Sequence, residues 1–189
     1  MSRLTLRYTL DGSDRAREFS RPHAKLLEVR KIEIVRVSAR EIPSQLDLQL
    51  ADLARVDGVG LTNTVSENDT VLATLSRRER LILCKADRPR SLYNDVIEIV
   101  EGCALVTDAS HQFVIIDLSG RAATEILSSL TPLSFESSIF TIGDCLRTVF
   151  ADTNVLVIRS EDEANYRLIF EQTLAGYAWR LLEDAAKNV

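Results

Sequence analysis

From residue 32 onward the chain alternates apolar and polar positions in two periods. "IEIVRV" (Ile32 to Val37) alternates strictly, as a half-buried strand does. Pro43 then stands at the start of a helix whose apolar positions Leu46, Leu50, Leu53 and Ala54 recur at helical spacing. "VDGVG" ends that helix, with Gly58 placed as a left-handed cap. "TVLATL" (Thr70 to Leu75) and "RLILC" (Arg80 to Cys84) are separated only by "SRRE" and predict a hairpin. "SLYNDVIEIV" is amphipathic, with Leu92, Val96, Ile99 and Val100 on one face, and Gly102 stops it.

The second half repeats the theme. "ALVTD" and "QFVIIDL" predict another antiparallel pair, and a helix runs from Gly120 to Leu130, ending before Pro132. Three strands follow, "CLRTVF", "NVLVIRS" and "YRLIF", the first two joined by a turn at Asp152, Thr153 and Asn154. A last helix over Gln172 to Ala186 sets Leu174, Tyr177, Ala178, Leu181 and Leu182 on its apolar face. The order gives an α+β fold of two interleaved α+β units, a mostly antiparallel sheet with helices on one face. Its other face needs cover, which a larger chain would supply.

Residues 31–189 form this single domain, and residues 1–30 form an N-terminal arm. The segment "DGSDRAREFSRPHAKLLEVR" has no clean apolar period until its last positions. It sets Arg15, Arg17, Arg21, Lys25 and Arg30 against Asp11, Asp14, Glu18 and Glu28, and reads as an extended segment ordered by a partner.

Charge and composition narrow the function classes. The 189 residues are 46% hydrophobic and 27% charged, with a net charge of −5. A concentrated basic surface, which phosphate-backbone binding requires, is missing, so nucleic acid is not an expected partner. No apolar run approaches the roughly 20 residues that span a bilayer. "LTLRYTL" alternates instead of forming the apolar centre of a signal peptide, so the expected location is the cytoplasm.

Candidate chemistry is sparse. Cys84, Cys103 and Cys145 are widely spaced; Cys84 ends "LILC" and Cys103 precedes "ALV", so both read as buried small hydrophobes. His23 and His111 have no partner at metal-ligand spacing. "HQFVIIDLSGRAATEIL" (residues 111–127) has the strand-to-helix glycine turn that often cradles phosphate. A dinucleotide fingerprint needs three glycines where this turn has one, and a P-loop needs a Lys-Ser or Lys-Thr pair. Ser119 reads as the helix N-cap, Gly120 as the bend and Glu125 as an outer-face residue. No Gly-x-Ser-x-Gly elbow is present, and "EDE" (Glu161 to Glu163) falls in a loop. No catalytic, cofactor-binding or metal-binding residue is assigned.

Taken in order, the stretches from about Leu61 to Ala186 resemble the gamma subunit family of heterotetrameric sarcosine oxidase, within the glycine-cleavage T-protein and folate-binding-domain superfamily. "GLTNT" stands at the family's Pro-Asn-Thr-like loop, and "ATLSRRERLIL" at its hairpin, with Glu79 at the family's glutamate. "VTDASHQFVIIDLSGRAATEIL" and "TPLSF" resemble its strand, glycine turn, helix and following loop, and "YRLIFEQTLAGYAWRLLEDA" its ending. Arg121 replaces a proline, Leu130-Thr131 replaces Gly-Cys, and both hairpin tryptophans are replaced, by Leu75 and Arg80. The resemblance implies a folate-binding-domain-like fold and a small subunit of a flavoenzyme that oxidatively demethylates sarcosine or a similar N-methyl amine, passing the one-carbon unit to tetrahydrofolate. It implies FAD, FMN, NAD and tetrahydrofolate in the larger subunits and none in this chain. The implied partners are the alpha subunit, with beta and delta in the same assembly. A subunit of a dimethylglycine oxidase or N-methylglutamate dehydrogenase is similar, and so is a free-standing aminomethyltransferase, which needs about twice this length. The Lys-Gly-Cys signature of the iron–sulfur-assembly relatives is absent, since Gly102-Cys103 follows Glu101.

Overall fold

A computed structural model describes residues 10, 15–55, 64–65, 70–87, 90–160 and 166–189. Its strands form two antiparallel sheets. The chain begins with β1 (Glu18–Arg21), β2 (Ala24–Val29) and β3 (Ile32–Ser38), followed by α1 (Ser44–Ala54). Next come β4 (Thr64–Val65), β5 (Val71–Ser76), β6 (Glu79–Lys85), α2 (Leu92–Val100) and β7 (Leu105–Asp108). The remainder is β8 (Phe113–Ser119), α3 (Ala123–Leu130), β9 (Cys145–Phe150), β10 (Thr153–Arg159), β11 (Tyr166–Glu171) and α4 (Ala175–Lys187). One sheet has the order β1-β2-β8-β11-β10-β9, the other β4-β5-β6-β3-β7. The α+β class and the interleaving follow the sequence pattern, and each sheet carries helices on one face.

Where one sheet was expected, two stand face to face. Ile34, Val71, Ala73, Leu81 and Leu83 from the five-stranded sheet pack on Ile115, Leu156, Ile158 and Ile169 from the six-stranded one. The opposite face of the five-stranded sheet takes α1 and α2 through Leu46, Leu50, Leu92 and Val96. The opposite face of the six-stranded sheet takes α3 and α4 through Ile126, Leu127, Trp179 and Leu182. The result is four layers, helix, sheet, sheet, helix. The sheet face expected to lie open for a larger chain is therefore covered by the protein itself.

Continuous apolar runs mark the strands buried on both faces. Leu81 to Cys84 in β6, Val114 to Ile116 in β8 and Val155 to Ile158 in β10 are all buried. This explains why "ALVTD" and "QFVIIDL" do not pair as a hairpin. Strand β7 pairs with β3, whereas β8 lies between β2 and β11 in the other sheet. A strand with neighbours on both sides and layers on both faces needs an unbroken apolar run, and "FVII" supplies it.

The extended arm expected over residues 1–30 is, from Glu18 to Val29, a hairpin of the six-stranded sheet. Ala24 and Leu26 are buried on its inward face, and so is Glu28. A charged residue at an inward position breaks the alternation that would announce a strand. Asp11 and Asp14 of the same segment lie outside the described residues, as do Gly58 and Glu161 to Glu163.

Several local expectations also shift. The left-handed cap of α1 is Arg55, at φ 56°. The β9–β10 turn is Ala151-Asp152, with Ala151 at φ 52° and Phe150 opposite Thr153. The buried stripe of α4 is Ala175, Ala178, Trp179, Leu182 and Ala186, so Trp179 replaces Tyr177 as its anchor. Tyr177 faces outward, where its hydroxyl donates to Asp152 at 2.5 Å. Cys103 is exposed, whereas Cys84 and Cys145 are buried, and no disulfide joins any of the three.

The glycine turn is also a different device from a capped helix start. Ser119 ends β8, and α3 begins at Ala123 with Ala122 in the capping position. Gly120 has φ 105°, and a β-carbon there would stand 2.6 Å from the His23 carbonyl oxygen. That carbonyl accepts the Ala122 amide at 3.0 Å. The turn thus clamps the β1–β2 loop, and one of its amides goes to the protein's own backbone. We expect Gly120→Ala to lower stability by about 2–4 kcal/mol, through left-handed strain and backbone overlap. Ser119→Ala should change it by less than about 0.5 kcal/mol, because no cap is lost. Urea unfolding of the two variants measures both.

Candidate functional site

The chain crosses between the sheets at Arg30-Lys31 and again over residues 109–112. Both crossings meet at one end of the sandwich. Lys31 takes φ 59° to make the first, and its carbonyl accepts the Ala86 amide at 2.8 Å. At the second, Ala109 donates its amide to Ile34 at 2.8 Å, and Ile34 donates back to the Ser110 hydroxyl at 3.0 Å. A cleft of about 580 Å³ opens there, and its polar lining includes Glu28, Arg30, Glu33, Asp87, Asp108 and His111.

Three of those groups are committed to the fold. The Glu28 carboxylate, almost wholly buried, accepts from the Arg17 amide at 2.9 Å. It also accepts from Arg30, at 2.9 Å from Nε and 2.6 Å from Nη2. Glu33 accepts from the Ser91 hydroxyl at 2.5 Å and the Leu92 amide at 2.8 Å. It thereby caps α2 from a neighbouring strand, placing a carboxylate at the positive end of the helix.

At the mouth, Lys31, Asp87, Asp108 and His111 are exposed. Partial burial pushes the Asp108 carboxyl up, but hydrogen bonds from the Ser110 hydroxyl and amide and the charge of His111 outweigh it. The net shift is below the ordinary value. The two Ser110 bonds measure 2.6 and 3.0 Å. This rim can hold a small polar group by charge and hydrogen bonds. Among the described residues, no group of three or more His, Cys, Asp and Glu is placed to hold a metal ion. His23 lies elsewhere, its Nε2 2.9 Å from the Arg121 guanidinium.

The sequence drew attention to Glu28 and Arg30 as charges of the arm and to His111 as a histidine without a partner, but not to their meeting in one cleft with Glu33, Asp87 and Asp108. The available signal was a charge at an inward strand position, and it recurs. Arg80, where the resembling family has tryptophan, is buried and makes a bidentate pair with Asp47 of α1, both contacts at 2.8 Å. Glu79 meets Arg36 at 3.2 Å and Arg147 at 3.7 Å, on the opposite strand face.

Comparison with known proteins places the chain. The family model described as "Sarcosine oxidase, gamma subunit family" matches residues 58–188. No curated protein matches the sequence. Among solved structures, a chain of the heterotetrameric sarcosine oxidase from Corynebacterium sp. U-96, in complex with pyrrole 2-carboxylate, is similar at a TM-score of 0.79 and 20% identity. That similarity covers 90% of this chain and 88% of the other. The glycine cleavage system aminomethyltransferase T from Bartonella henselae is similar at a TM-score of 0.62 and 15% identity, covering 86% of this chain and 46% of that one. Both likenesses concern the fold.

Two outcomes test the site's electrostatics. Glu28→Ala should destabilise the protein by about 3–5 kcal/mol, because it removes the buried carboxylate that accepts from the Arg17 amide and the Arg30 guanidinium; thermal unfolding reads this. In an NMR titration Asp108 should ionise below the ordinary aspartate range, and Ser110→Ala should raise its midpoint. A depressed folded pKa stabilises the fold above the unfolded value near ~3.9, and that contribution fades as the pH falls through the folded value.

Proposed function

Because the chain belongs to the sarcosine oxidase gamma subunit family, we propose that it is a small assembly subunit, without a reaction centre of its own, of a heterotetrameric flavoenzyme. The complex oxidatively demethylates sarcosine or a similar N-methyl amine and passes the one-carbon unit to tetrahydrofolate. FAD, FMN, NAD and tetrahydrofolate belong to the larger subunits on this reading, and the alpha subunit is the immediate partner, with beta and delta in the same assembly. The complex is cytoplasmic; among the described residues no helix is long and apolar enough to cross a membrane.

The family match carries the reading. The cleft supports it, since Glu28, Arg30 and Glu33, its most buried charged groups, hold strands and a helix end together. A subunit of a dimethylglycine oxidase or N-methylglutamate dehydrogenase would have the same docking role. A free-standing aminomethyltransferase is the second reading; the chain spans about half the length of the aminomethyltransferase it resembles.

Co-expression with the larger subunits tests the proposal. The chain should co-purify with them in equal amount, the complex should turn over an N-methyl amine, and the isolated chain should show neither turnover nor flavin absorbance. A complex with the same composition, stability and turnover when this chain is omitted would contradict it. So would stoichiometric flavin on the isolated chain.

A further inference from the structure

Strand β9 is the last strand of the six-stranded sheet, and no described strand covers its outer edge. The hairpin register fixes which of its groups face outward. Phe150 opposes Thr153 across a two-residue turn, Thr148 opposes Val155, and Leu146 opposes Val157. In such a hairpin the residues flanking the turn exchange hydrogen bonds, and bonding alternates from there. The Arg159 amide, donated to Asp144 at 2.8 Å, continues the same phase. Thr148 and Phe150 therefore bond inward to β10, while Arg147 and Val149 turn their amide and carbonyl groups outward.

The same edge gathers exposed apolar side chains. Of the eight large hydrophobic residues exposed among the described ones, four lie on β9 or in the loop that leads into it: Ile139 at 64%, Ile142 at 51%, Leu146 at 38% and Val149 at 46%. Ile139 and Ile142 are held in place. Between them Phe140 is buried against Phe135, ring centroids 5.3 Å apart, and its carbonyl accepts from the Arg159 guanidinium. The Asp144 carboxylate accepts the Thr141 amide at 2.6 Å and its hydroxyl at 2.8 Å. Gly143 donates to the Arg159 carbonyl at 2.9 Å. A loop bonded this fully presents its apolar side chains without an ordering penalty on binding. Solitary edge strands are usually blunted by proline, lysine, a bulge or a cover. Strand β9 has no proline, glycine or lysine, and its one cation, Arg147, leans onto Glu79.

We propose that the β9 edge, with Ile139 and Ile142, is the seat of a larger subunit of the oxidase. That subunit lays an extended segment along β9, hydrogen-bonded to the outward amide and carbonyl groups of Arg147 and Val149, with apolar side chains on Leu146 and the two isoleucines. This rests on the subunit reading above. A second copy of the chain is a poorer occupant. In the two registers that pair most of β9, a two-fold axis through Arg147 sets like charges opposite each other, and one through Thr148 sets Leu146 against the buried Phe150.

The test is assembly of the full chain with its co-expressed larger subunits, read as an apparent Kd. Val149→Pro removes an outward amide and leaves the inner ladder intact, and Ile142→Asp puts a charge in the patch. Each should weaken assembly about tenfold or more, with unchanged circular dichroism, while Leu48→Asp on α1 should assemble as the parent does. If Val149→Pro unfolds the chain, Ile142→Asp on its own decides the outcome. Parental affinity in Ile142→Asp overturns the proposed seat and leaves the subunit reading standing, whereas a parent chain that binds no larger subunit overturns both. A dimer of the isolated chain that Val149→Pro dissociates gives the edge to a second copy and also overturns the inference.

Discussion

Everything in this protein depends on the contact between the two sheets. Neither sheet is viable alone, because each has apolar residues on both faces and its helices cover only one. Ile34, Leu81 and Leu83 must meet Ile115, Leu156 and Ile169, or both sets are left in water. The contact also dictates the connectivity. The chain must leave the six-stranded sheet after β2, build the five-stranded one, and return at β8. Its crossings are short, Arg30-Lys31 and residues 109–112, so they fall at one end of the sandwich and frame the cleft there.

Charges at inward positions adjust this frame. Glu28 with Arg30 and Arg80 with Asp47 occupy places that a hydrophobe could fill, and buried ion pairs of this kind add little net stability over an apolar replacement. What they add is geometry. Arg80 ties β6 to α1, and Glu28 ties the first crossing to the backbone of Arg17. Arg17 then reaches α4, its guanidinium 4.9 Å over the Trp179 ring and 3.5 Å from Glu183. Removing one partner strands the other, so such pairs resist loss even where they contribute little.

The regular elements were legible in the sequence because period alone announces them: the amphipathic helices α1 and α2, and the hairpins β5–β6 and β9–β10. The first hairpin was hidden by Glu28, an inward charge that periodicity reads as solvent-facing. Pairing was less legible than existence, since "LVTD" and "FVII" are adjacent in sequence but belong to different sheets. Only the unbroken apolar run of β8 hinted at a central strand. Ser119 beside Gly120 looked like a cap and bend, yet the glycine's role is the close passage of the His23 carbonyl, a contact 97 residues away in the chain. The cleft was invisible for the same reason, being assembled from two crossings that only the fold brings together.

On the proposed reading the sandwich closes itself and offers the β9 edge to its partner. Amide hydrogen exchange of the isolated chain, compared with the chain in its assembled complex, tests this most directly. The amides of Leu83, Ile115 and Ile169 should be protected in both states, and that of Val149 only in the complex. Fast exchange of Leu83, Ile115 and Ile169 in the isolated chain, slowed only on assembly, would mean that a partner closes the fold.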